Sequence, residues 1–217
     1  MAAAVPSSTA LVTGGGVRIG KAISLALAGA GYKVAIHYNA SRAPAEETLA
    51  EIRSAGGDGV CLQADLCDAA ATGALLPAAG AALGPVSLLV NNASLFEHDS
   101  IEDFTLDSWD AHHAANLRAP MQLVQAFAAQ APAGANNLVI NIVDQRVWAL
   151  TPRFFSYTLS KAGLWAATRT LAQALGPRGI RVNAIGPGPT LRNARQSEAD
   201  WQAQNEALIN LIIEIID

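Results

Sequence analysis

Short, β-branched, apolar runs alternate along this chain with longer segments of helical character, and few folds accept that alternation. The strand-like runs are 9–13 (TALVT), 33–38 (KVAIHY), 59–64 (GVCLQA), 86–92 (VSLLVNN), 136–144 (NNLVINIVD) and 180–187 (IRVNAIGP). Between them, 21–30, 43–55, 68–83, 106–131 and 156–175 read as helices. Gly29 and Gly31, Gly56–Gly57 and Gly176–Pro177 close three of these. The helix over 68–83 is expected although Gly73 and Pro77 interrupt it. Several strands are apolar at successive positions, as in strands buried on both faces. The pattern predicts an α/β fold: a doubly wound parallel sheet in three αβα layers. At 217 residues, with no repeat or linker, one domain is expected over 1–217, with 1–8 as a loose tail.

Composition narrows the function classes. Hydrophobic residues make up 51% and charged residues 15%, which fits a large buried core. The formal charge is -4 and no basic stripe stands out, which argues against nucleic acid or an anionic membrane as partner. The start MAAAVPSSTA has no basic n-region, and no apolar run reaches bilayer length. A cytoplasmic protein is the expectation. Cys61 and Cys67 match no metal pattern and read as reduced, small apolar residues. His112 and His113 are adjacent on a helix and point in different directions, and His98 sits in an acidic loop and reads as solvated. No metal site is expected.

Polar and glycine residues gather after the strands: Gly14 to Gly16, Tyr38 to Ser41, Asp65, Asn91 to Ser94, Asp144, and Gly186 to Gly188. Ligands of such sheets sit beyond the carboxyl ends of the strands. The first turn, LVTGGGVRIGKAIS over 11–24, has the G-x-x-x-x-G-K spacing of a P-loop at Gly15, Gly20 and Lys21. A P-loop needs Ser or Thr next to hold magnesium, and this chain has Ala22. Strict G-x-G-x-x-G is absent too. A glycine turn entering a helix still suits a phosphate. Further along, Tyr157 and Lys161 are four residues apart on one helix face. A lysine cation beside a phenol favours the phenolate. It predicts a lowered pKa and a proton donor or acceptor near neutral pH.

With these residues in order, the chain resembles the short-chain dehydrogenase/reductase family from Leu11 to about Leu191. The marks are TGGGVRIG, Asp65 in ADL, NNAS at Asn91–Ser94, Asn116 in NLRAP, Tyr157 and Lys161 as Y-x-x-x-K, and GPGPT after the sixth strand. The resemblance implies a Rossmann-like sheet and an NADP-dependent oxidoreductase. Within the family it looks like the pteridine reductases and the bacterial dihydrofolate or dihydromonapterin reductases. Arg18 stands where most members have glycine, Asp144 lies thirteen residues before Tyr157, and Ser94 and Phe96 follow the fourth strand.

The same resemblance implies the roles of the site residues. The catalytic set is Tyr157 as proton donor with Lys161, Asp144 and Asn116, the last holding a water that relays protons to Lys161. Cofactor contacts fall to Gly14, Arg18, Ile19, Asn39, Ser41, Asp65, Leu66, Asn92, Ala93, Ser94, Tyr157, Lys161, Pro187 and Gly188. The substrate contacts are Arg18, Ser94, Phe96, Asp144 and Tyr157, with Phe96 stacking on a flat ring. One of Trp148, Phe154 and Phe155 is expected to wall the pocket. HYNASR carries no acid to accept from ribose hydroxyls. Asn39 and Ser41 can donate to a 2′-phosphate, and Arg18 or Arg42 can supply charge, so NADPH is the expected cofactor. The expected reaction is hydride transfer to an oxidised pteridine. A carbonyl or 3-oxoacyl reductase, and a non-catalytic NADPH-binding protein, are the alternatives. The family continues past the sixth strand through two helices to a seventh strand, so 192–217 reads as an atypically short C-terminal segment. Its apolar part, 208–216, would form a covering helix or an added strand. A homotetramer is expected, with the long helix and the Tyr157 helix at a subunit interface.

Overall fold

A computed structural model describes residues 8–188. The expectations for 1–7, for Pro189 and Thr190, and for 192–217 lie outside the described residues.

Among the described residues, six strands form one parallel sheet: β1 (Thr9–Val12), β2 (Lys33–Tyr38), β3 (Gly59–Gln63), β4 (Val86–Asn91), β5 (Asn137–Ile142) and β6 (Ile180–Ile185). Their order is β3-β2-β1-β4-β5-β6. Strand order reverses between β1 and β4, which opens a crevice at their carboxyl ends. β1 pairs with both neighbours, Leu11 lying beside Ala35 of β2 and Leu89 of β4.

The helices α1 (Arg18–Gly29), α2 (Arg42–Ser54), α3 (Ala69–Leu83), α4 (Leu106–His113), α5 (Ala119–Gln130) and α6 (Phe155–Leu175) cover the sheet. Alternate residues of each strand face opposite layers. Leu11, Ala35 and Leu89 join Leu75 and Leu76 of α3, Phe127 of α5 and Leu175 of α6 in one core. Ala10, Val12, Val34 and Ile36 join Leu49 and Ile52 of α2 in the other, with Ile23 and Leu27 of α1 against it. Both strand faces are therefore apolar, which explains the unbroken apolar runs.

Three details differ from the sequence reading. First, Ser8 is tied down: its carbonyl accepts from Lys33 N–H at 3.0 Å. Second, the expected single helix over 106–131 is α4 and α5 joined by a π-helical stretch, Ala114–Arg118. Such widened turns gather at functional sites, and this one carries Asn116. Third, α1 begins at Arg18, before the apolar run that marked its start.

Helix α3 runs through Pro77. Asp68 caps it by accepting from Ala70 and Ala71 N–H, and Thr72, Leu75, Leu76 and Ala79 are buried. Burial of that face outweighs one missing helical hydrogen bond.

Candidate active site

The strand ends after β1 to β6 and the start of α6 enclose one cleft of about 480 Å³. Its glycine end is shaped by close approach. Gly14 has φ +60° and packs against Ala93. A Cβ on Gly20 would lie 2.0 Å from the Gly14 carbonyl oxygen, and one on Gly16 would lie 2.7 Å from Ala45 Cα. Neither position tolerates a side chain.

Polar groups fix the turn. Thr13 Oγ1 accepts from Asn92 N at 2.9 Å and Ala93 N at 3.0 Å, while Asn92 Nδ2 donates to Thr13 O and Gly14 O. Gly14 N donates to His37 Nδ1 at 3.1 Å, so the ring proton sits on Nε2, 3.1 Å from Ala64 O. Burial lowers the His37 pKa and keeps this ring neutral. The sequence reading missed His37; its place at the end of an otherwise apolar strand was the available signal.

Arg18 lines the cleft with φ +49°, one of two non-glycine residues at positive φ among those described. That backbone explains why a glycine is ordinary there. Lys21, which had pointed to a P-loop, pairs with Glu51 at 2.6 Å and lies outside the cleft.

Of the expected site residues, Gly14, Arg18, Ile19, Asn39, Asp65, Leu66, Asn92, Ala93, Ser94, Phe96, Asp144, Tyr157, Lys161, Pro187 and Gly188 line this cleft. Ser41 and Asn116 do not. Ser41 is exposed at the start of α2. Asn116 is fully buried: Oδ1 accepts from Leu95 N at 2.8 Å, and Nδ2 donates to Leu95 O and Ser160 Oγ. It ties the Phe96 loop to α6. Both cysteines are free thiols, as expected; Cys61 packs at the edge of the core, whereas Cys67 is exposed and borders the cleft. His98 is exposed as expected, with its ring edge-on to Phe154 at 5.1 Å. His112 is buried and accepts from Glu97 N, which adds a second tie to the same loop.

At the chemical end, Tyr157 Oη donates to Asp144 Oδ2 at 2.8 Å. Lys161 Nζ donates to Ile142 O at 2.7 Å and lies 5.8 Å from the Tyr157 ring centroid. Burial lowers the Lys161 pKa to about 8, partly countered by Asp144. The Tyr157 pKa is raised well above its ordinary value, first by burial and then by Asp144. This corrects the lowered pKa expected from Lys161. The phenol is buried and hydrogen-bonded to a carboxylate, and both hold its proton in place. Tyr157 therefore stays protonated, with its hydroxyl directed at Asp144.

Phe96 stacks on Phe154 with centroids 4.3 Å apart and meets Tyr157 edge-on at 4.7 Å. None of Trp148, Phe154 and Phe155 lines the cleft itself, so the expected pocket wall is not among them; Phe154 reaches it only through its stack on Phe96. Phe155 packs on Phe104 and Trp109, and Trp148 on Trp165. Asp99, on the Phe96 loop, accepts from Ser156 N at 3.1 Å and caps α6 from a distance in sequence. Arg146 is a second miss. It lines the cleft and pairs with Asp144 at 3.3 Å. A polar residue just past the fifth strand was the signal.

The profile of the short chain dehydrogenase family matches residues 8–203, and the chain belongs to that family of oxidoreductases. FolM alternative dihydrofolate reductase 1 from Brucella canis, solved in complex with NADP, is 49% identical with a TM-score of 0.88, covering 93% of this chain and 79% of that one. A short chain dehydrogenase from Burkholderia cenocepacia, also with NADP, is 35% identical with a TM-score of 0.85, covering 92% and 82%. A 3-oxoacyl-[acyl-carrier-protein] reductase, FabG, from Staphylococcus aureus (strain Mu50) is 32% identical over 182 residues, covering 84% of this chain and 74% of its own length.

Among the described residues, no helix is long and apolar enough to cross a membrane, and no group of three His, Cys, Asp or Glu could hold a metal ion.

Proposed function

We propose that the protein is an NADPH-dependent reductase of an oxidised pteridine, of dihydropterin or dihydrofolate type. The observation that carries this is the flat Phe96 ring beside a Tyr157–Asp144 pair in one cleft. The likeness to the Brucella reductase, at 49% identity, supports it; the FabG relatives favour the carbonyl reading.

The cleft fits a dinucleotide. Its glycine turn leaves room where a Cβ would clash, it spans the switch between β1 and β4, and Asn39 rather than an acid follows β2. Gly14, Ile19, Asp65, Leu66, Asn92 and Ala93 would hold the nucleotide half, with Asn39 and Arg18 toward a 2′-phosphate. Ser94, Lys161, Pro187 and Gly188 would border the nicotinamide half. Ser41 joins only if it turns inward. The bound nicotinamide supplies the hydride.

The protein supplies position and the proton. Tyr157 donates its proton from Oη toward the reduced ring, and Asp144 orients that hydroxyl. Lys161, anchored on Ile142 O, is the buried cation near Tyr157 that would stabilise the phenolate left by this transfer until solvent reprotonates it. Asn116 acts by fixing the Phe96 loop against α6. Phe96 would offer the pteridine the face turned away from its stack on Phe154, with Arg18 and Ser94 at the ring edge.

We also infer a cytoplasmic homotetramer. Exposed Leu106 on α4 and Leu159 on α6 support a subunit contact at those helices. A stable monomer in sedimentation at micromolar concentration would count against it.

Phe96→Ala tests the pteridine reading. It should raise KM for a dihydropterin about tenfold, from one lost aromatic stack of roughly 1–1.5 kcal/mol, and leave NADPH affinity intact. An unchanged KM would defeat it.

A further inference from the structure

We propose that Arg146 is a positioning residue that couples the Phe96 ring to the Asp144–Tyr157 pair. The inference rests on those two residues handling the proton of the reduction.

Arg146 lies in a short 3₁₀ turn, Gln145–Val147, just after β5. Its backbone N–H donates to Asp144 Oδ1 at 2.8 Å. Its Nη1 lies 3.3 Å from Asp144 Oδ2, the same oxygen that accepts from Tyr157 Oη. The guanidinium thus helps set where that oxygen stands, and with it the direction of the Tyr157 hydroxyl.

The other side of the guanidinium rests on rings. Its Cζ is 5.4 Å from the Phe96 centroid and 5.1 Å from that of Phe154, both within cation–π range. Phe96 in turn meets Tyr157 edge-on. Asp144, Arg146, Phe96 and Tyr157 therefore form a closed circuit of contacts.

One further observation sets Arg146 apart from an ordinary ion pair. Its Nε is buried and has no hydrogen-bond partner among the described residues. An unpaired buried donor on a charged group is costly. The guanidinium is held by the carboxylate and the two rings rather than by saturation of its own donors. A flat substrate settling on Phe96 would bear on the rings that hold Arg146, and Arg146 would transmit that placement to Asp144.

The test is a double-mutant cycle on the full chain with Arg146→Met, Arg146→Lys, Asp144→Asn and the double variants. NADPH consumption is followed with a dihydropterin and with a 3-oxoacyl thioester. Arg146→Met should lower kcat roughly ten- to hundredfold, the effect of a lost hydrogen bond to a charged group. Arg146→Lys should recover part of it. In the Asp144→Asn background the same change should cost about twofold or less, because its target is gone. NADPH affinity should not move. Equal factors in both backgrounds, or a change in KM with kcat kept, would overturn the proposal. If Arg146→Met does not fold, the cycle is read with Arg146→Lys, whose loss of the planar fork should likewise vanish in Asp144→Asn. If only the thioester is reduced, the pteridine reading falls and the cycle is still decided on that substrate. If neither is reduced, both fall.

Discussion

Arg18→Gly should make the protein more stable and a poorer enzyme. Arg18 holds φ +49°. That left-handed backbone costs an L-residue about 1–2 kcal/mol, while glycine at the same place costs roughly 0.5–1 kcal/mol in unfolded-chain entropy. The side chain is exposed, so little packing is lost and any polar contact it gives up at the surface is worth little. The net gain is on the order of 0.5–1 kcal/mol. For a chain of this size that raises Tm by about 1–4 °C. Binding moves the other way. If Arg18 grips a phosphate, one charge-assisted hydrogen bond is lost, about 1.5–3 kcal/mol, and NADPH Kd rises about ten- to hundredfold. Circular-dichroism melting without cofactor reads the first effect, and NADPH fluorescence titration reads the second. A lower Tm together with an unchanged Kd would refute the reasoning.

Tyr157→Phe removes the proposed proton donor and should lower kcat about 10²–10⁴-fold while NADPH still binds; retained turnover would take Tyr157 out of its role. Lys161 has its pKa lowered by burial from 10.5 to about 8. Between those values the unfolded chain holds the extra proton, so the Lys161 contribution to stability rises with pH across that window. Urea unfolding of wild type and Lys161→Met at pH 7, 9 and 10 should show wild type improving relative to the variant as pH rises. Parallel curves would contradict the burial of Lys161.

Much of the fold was legible because the strands are apolar on both faces and their polar residues sit at one end. Gly14, Asp65, Asn92 and Asp144 could be placed on that ground alone. Local patterns did not carry what distant contacts decide. Asn116 was expected to hold a relay water, and no local pattern showed that its side chain also bonds Leu95, Ser94 and Ser160. The Tyr157 pKa went the other way because spacing revealed Lys161 but not the depth of burial or the hydrogen bond to Asp144. Arg146 and Asp99 escaped notice because each acts on a partner that only the packed loops bring near. Pro77 weakened a helix in sequence that its buried face secures in the fold.

The most direct test compares kcat/KM for a dihydropterin and for a 3-oxoacyl thioester under identical conditions, by NADPH absorbance. The expected result is a dihydropterin preference of at least about a hundredfold, the discrimination that pocket complementarity of roughly 3 kcal/mol provides. Equal rates, or a preference for the thioester, would contradict the assignment of this cleft to a pteridine.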